Sequence, residues 1–132
     1  MRLGTNNGDF RVILKNLVKQ LAFFFSISKF RQRKKLQNVI SVEEKYQICN
    51  EILCIHQSKF EILELARKIM EKDPKVICEI GTADGGTSLF LGSSCQNLET
   101  IICIDLFIKN KRKLSFFLRN KVKFIDASSY HF

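Results

Sequence analysis

The chain has 132 residues, 45% of them hydrophobic, enough for one globular domain with an ordinary core. Its five cysteines (49, 54, 78, 95 and 103) are odd in number and never spaced C-x-x-C, and there are two histidines, which argues against a zinc site and for reduced thiols. The net charge of +9 is uneven: residues 1–40 carry nine Lys or Arg against one Asp, residues 41–105 six against eleven acids, and residues 106–132 seven against one.

In chain order, residues 4–9 (Gly-Thr-Asn-Asn-Gly-Asp) are turn-formers, expected to be loose. Residues 10–30 read as a helix. Leu14, Leu17, Val18, Leu21, Phe24 and Phe25 recur at three- and four-residue steps on one face, and Arg11, Lys15 and Lys19 form a stripe on another. Arg31-Gln32-Arg33-Lys34-Lys35 follows. Residues 1–40 thus form a basic amphipathic segment. Two readings stay open for residues 10–35: peripheral docking on an anionic membrane surface, at its inner face, or packing of the apolar face on the rest of the domain. Lys15 and Lys19 interrupt the segment, which speaks against a membrane span, and it lacks a cleavage site of the signal-peptide kind. No nucleic-acid-binding module accompanies the charge, which weighs against that partner.

Residues 41–132 form the second part. Two helices occupy 41–72, each opened by a capping box: Ser41-Val42-Glu43-Glu44 and Ser58-Lys59-Phe60-Glu61. His56 lies between them and reads as a surface or capping residue. Asp73-Pro74 ends the second helix. Residues 75–132 then read β–α–β–α–β: strand Val76–Ile80, helix about 84–95, strand Thr100–Asp105, helix about 109–118 and strand Val122–Ile125. The first two strands are nearly all apolar, as in a parallel sheet covered on both faces, so Cys78 and Cys103 are expected to be buried. Lys123 places the third strand at an edge. Right-handed crossovers give the order 3-2-1. The basic helix of residues 109–118 reads as a solvated face.

The most informative stretch is Glu79-Ile80-Gly81-Thr82-Ala83-Asp84-Gly85-Gly86-Thr87-Ser88, between an apolar strand and a helix. A carboxylate inside an apolar strand is costly to desolvate unless something pairs with it. The glycine spacing G-x-x-x-G-G differs from the G-x-G-x-x-G of dinucleotide folds, which argues against a nicotinamide oxidoreductase. An acid two residues before the first glycine suits a ligand with a cationic group. A second apolar strand ends on another acid, Asp105.

Residues 76–105 resemble motif I and the following acidic strand end of class I S-adenosylmethionine-dependent methyltransferases. The form E-I-G-T-A-D-G-G-T-S most resembles the subgroup of sugar O-methyltransferases of the rhamnosyl type and cephalosporin-hydroxylase-like proteins. The resemblance implies the N-terminal half of a Rossmann-like doubly wound α/β sheet, preceded by about three helices. It implies S-adenosylmethionine as cofactor, held along Glu79, Gly81, Thr82, Ala83, Asp84, Gly85, Gly86, Thr87 and Ser88. Glu79 would meet the ammonium and Asp105 the ribose hydroxyls. It further implies methyl transfer to a sugar or other small hydroxylated acceptor; the reduced thiols, separately, point to the cytoplasm. Gln57 stands near a glutamine that the family tends to carry. Ser128 stands where the family usually has an acid, with Asp126 as a substitute, and His131 is the one late candidate for a base. No residue is named as catalytic and no metal is expected. The family's sheet has about seven strands and this sequence supplies three, so the reading expects a truncated product, or self-association through the open edge of strand 76–80. The competing reading is a catalytically inactive fragment or a membrane-associated interaction protein.

Overall fold

A computed structural model describes residues 7–127. Among them, five helices and three strands run in the order α1 (Asn7–Asn38), α2 (Val42–Ile52), α3 (Lys59–Lys72), β1 (Val76–Ile80), α4 (Gly86–Ser94), β2 (Thr100–Asp105), α5 (Lys111–Phe117) and β3 (Val122–Asp126). The chain divides into two units, one ending at Lys34 and one starting at Lys35.

The first unit is the body of α1. The helix is longer at both ends than the apolar periodicity predicts. No proline stops it before position 74, and Arg31–Lys35 are good helix formers, so the basic run prolongs it. Asn7, Gly8 and Asp9, expected to be loose, lie in its first turn; residues 4–6 are outside the described residues. Among the described residues, no helix is long and apolar enough to cross a membrane.

In the second unit, α2 opens as its capping box predicts. The Ser41 hydroxyl accepts from the Glu44 N–H at 3.4 Å and donates to Glu43 at 3.1 Å. The matching expectation at α3 is corrected: Ser58 is the N-cap residue, but its side chain makes no capping bond. At the other end Asp73 closes α3 in the left-handed region, φ 41°, its N–H donating to the Ile69 carbonyl at 2.9 Å. A second tie comes from the Asn97 N–H, which reaches the Asp73 carboxylate.

α4 starts two residues later than expected, because Asp84 and Gly85 belong to the turn before it. Nearly every residue of α4 is buried, since the helix lies between α2 and α3 on one side and the sheet on the other. Phe90 is fully buried and meets Tyr46 of α2 edge to face, ring centroids 5.7 Å apart. Nearby, Lys45 donates to the Ser93 carbonyl at 3.0 Å, and burial pushes its pKa down. The neighbouring Cys49 thiol is pushed up to about 12 by burial and is inert.

The sheet is parallel throughout, in the order β1-β2-β3, the predicted 3-2-1. Its register sets Glu79 beside Cys103 and Asp105 beside Asp126. The architecture is therefore α/β, a Rossmann-like half preceded by helices.

One strand expectation fails. Within this unit, the face bearing Glu79, Ile101 and Cys103 is covered by α4, whose Ser88 bonds both Glu79 and Cys103. On the other face, Val76 is 56% and Ile80 65% exposed, and Cys78 is exposed as well. Both crossovers pack on the same side because the strand order advances in one direction. An apolar strand sequence permits two covered faces but does not create the second layer.

Candidate functional site

The site forms where β1 ends and α4 begins. Gly81 turns the chain with φ 82°, and its N–H donates to the Ile104 carbonyl at 2.8 Å, fastening the turn to β2. A methyl group built on Gly81 would meet nothing within 4 Å, so the backbone here faces open space. Thr82 follows. Its hydroxyl is buried and interacts with the Cys103 thiol of β2. Ala83 is held at φ 49°, a conformation that costs a non-glycine residue about 1–2 kcal/mol. Its N–H donates to Asp105 Oδ2 at 2.7 Å, a charge-assisted bond that holds the strained turn. Gly85, at φ 89°, closes the turn, with its N–H to the Thr82 carbonyl at 2.9 Å.

Gly86 is required for a different reason. A Cβ there would lie 2.2 Å from the Cys54 carbonyl oxygen and 2.5 Å from that of Leu53. The start of α4 thus presses against the backbone that leaves α2. This approach brings the α2–α3 connection onto the glycine turn. Thr87 bonds to Gln57, and His56 Nε2 lies 2.7 Å from Asp84 Oδ2. The β2–α5 connection joins too: Lys109 Nζ is 3.5 Å from Asp84 Oδ1, and Asn110 donates to the Asp84 carbonyl at 2.9 Å. Asp84 is the knot of three loops, and the His56 bond, followed by Lys109, holds its carboxyl below the usual range.

The two carboxylates that end β1 and β2 differ. Asp105 is held below its ordinary value by the Ala83 N–H, with the Phe107 N–H, 3.3 Å from Oδ1, contributing. Glu79 is pushed up to about 7, first by burial and further by the negative charge of Asp105, while the Ser88 hydroxyl it accepts from works the other way. A half-buried acid facing a second carboxylate is short of positive charge.

The residues singled out from the sequence between Glu79 and Ser88 lie in this turn or in the strand and helix it joins, and Asp105 ends the neighbouring strand β2. The half-buried Glu79 pairs with the buried Ser88, and Thr87 faces Gln57. Asp105 already binds two backbone N–H groups, which sequence reasoning does not foresee. Also unforeseen is the placement of His56 on Asp84, 28 residues apart. Only the close approach at Gly86 brings them together, and the paired glycine was its one local sign. Asp126 bonds Lys111, and Ser128 and His131 lie outside the described residues. No group of three or more His, Cys, Asp or Glu among the described residues is placed to hold a metal ion. A cleft of about 300 Å³ opens between Leu36, Gly92, Cys95, Phe117 and Arg119, away from the turn, and none of the glycine-turn residues lines it.

An open glycine turn after the first of three parallel strands, flanked by two strand-end acids, marks a Rossmann-like half. The family described as rhamnosyl O-methyltransferase/CmcI matches residues 24–131, and the chain belongs to that family of methyltransferases. No curated protein matches the chain. Nor does a solved structure.

Proposed function

We propose that the chain binds S-adenosylmethionine at the glycine turn and serves methyl transfer to a hydroxyl oxygen, on a sugar or other small hydroxylated acceptor. The observation that carries this reading is the arrangement of the turn: open at Gly81, with the half-buried Glu79 carboxylate at the end of β1 and Asp105 at the end of the adjacent β2. The open space at Gly81 fits the same ligand. Glu79 would hold the ammonium, the backbone from Gly81 to Gly85 the methionine portion, and Asp105 the ribose through its remaining lone pairs. The cofactor, when bound, supplies an activated methyl group. The chain's own residues bind and orient. Asp105 keeps Ala83 in its strained turn, Ser88 fixes the Glu79 carboxylate, and the His56–Asp84–Lys109 cluster holds three loops together at the rim.

Exposed free thiols at Cys54 and Cys78 support a cytoplasmic setting. Calorimetric titration with S-adenosylmethionine, followed by labelled-methyl transfer to a panel of sugars, tests the reading. Binding that weakens at least tenfold in Glu79→Gln supports it. An absence of binding at millimolar ligand, or equal binding by that variant, overturns it. Binding without transfer to any acceptor would favour the competing reading of an inactive cofactor-binding unit.

A further inference from the structure

We propose that residues 11–35 of α1 form a docking helix for the surface of an anionic phospholipid bilayer. Described by itself, the first unit is one helix, so it has no core in which to bury apolar side chains. Ile13, Leu14, Leu17, Leu21, Phe24 and Phe25 are between 49% and 76% exposed. At 3.6 residues per turn they fall within an arc of about 120°. Arg11, Lys15, Lys19 and Lys29 run along one flank of that arc, all exposed. Val12 and Phe23 project from the back of the helix beside Lys19, so the helix is not cleanly two-faced.

The charge decides the occupant. Between Arg11 and Lys35 there are eight Lys or Arg and no Asp or Glu. A partner must therefore bring the anions, and it must also receive a stripe of Leu, Ile and Phe. Nucleic acid meets the first demand through its phosphates but offers no surface for the second. A second copy of this helix meets the second but repeats the positive charge. An anionic bilayer offers both: headgroup phosphates for the basic flank and run, and the acyl boundary for the stripe. The helix lies on the surface rather than spanning it, since it is not apolar enough to cross.

The test uses the full chain in vesicle co-sedimentation. Wild type should pellet with vesicles of equal phosphatidylglycerol and phosphatidylcholine at least tenfold more than with phosphatidylcholine alone, and 0.5 M NaCl should weaken that binding severalfold. The pairs Lys15→Glu with Lys19→Glu, and Leu21→Ser with Phe24→Ser, should each lower binding about tenfold or more. All four side chains are exposed, so the thermal melt of the second unit should stay unchanged and report that folding is intact. Failure to pellet with anionic vesicles overturns the proposal, as does equal binding to neutral ones. So does salt-sensitive binding to an oligonucleotide without vesicle binding. Self-association lost in the apolar pair, with no vesicle capture, would make the stripe an interface between copies and likewise overturn it.

Discussion

Replacing Gly86 by Ala tests how the site is built. An alanine Cβ would stand 2.2 Å from the Cys54 carbonyl oxygen, and both of the nearest groups are backbone. Overpacking in a core costs about 1–3 kcal/mol where side chains can give way. Backbone cannot rotate aside, so the cost sits at the upper end, about 3 kcal/mol. Alanine gains about 1 kcal/mol over glycine at a helical position. The net loss is about 2 kcal/mol, which lowers the melting temperature of a domain of this size by roughly 8–16 °C. Thermal and urea denaturation measure it, with two glycine controls. Gly92→Ala, in the same helix α4, meets side-chain ends rather than backbone, Leu118 at 3.0 Å and Ile101 at 3.7 Å, and should fall within about 1 kcal/mol of wild type. Gly81→Ala has open space but φ 82°, and should cost about 1–2 kcal/mol. If Gly86→Ala melts within about 2 °C of wild type, or above it, the α2–α3 connection does not press on α4 as described.

Glu79 carries a pH signature. Its folded pKa, about 7, is raised above the ordinary 4.5, so its contribution to stability is complete below pH 4.5 and is lost as pH rises through 7. In denaturation at pH 5 and pH 8 without ligand, Glu79→Gln should flatten the decline and be the more stable protein at pH 8. Asp105→Ala removes the acceptor for the strained Ala83 N–H; at pH 7 it should cost about 1–2 kcal/mol in urea denaturation and weaken cofactor binding as well. Phe90→Ala empties a fully buried site against Tyr46 and should destabilise by about 3–5 kcal/mol, read from the urea midpoint.

Local chemistry made the first two strands and the α2 cap readable. Val76–Ile80 and Thr100–Asp105 are apolar runs bounded by Pro, Gly and acids, and Ser41 carries its own capping partner at Glu44. The expected burial of Cys78 failed because strand composition cannot say how many helical layers arrive. The extent of α1 was missed because Arg31–Lys35, read as the end of an apolar stripe, are themselves helix formers. At the candidate site, the turn and its two acids were legible from residue type and order. The seat of His56 on Asp84 was not, nor that of Gln57 on Thr87. Both depend on two loops meeting across a glycine 30 residues away, a distance that no periodicity encodes.

A cation that settles against Glu79 must displace its proton. Titration of S-adenosylmethionine at pH 7, run in two buffers of different ionisation heat, measures protons released on binding. A carboxylate with a pKa near 7 is partly protonated there, so a cationic ligand should expel more protons from wild type than from Glu79→Gln, by up to about half a proton. Binding with identical proton counts in both proteins would contradict the account.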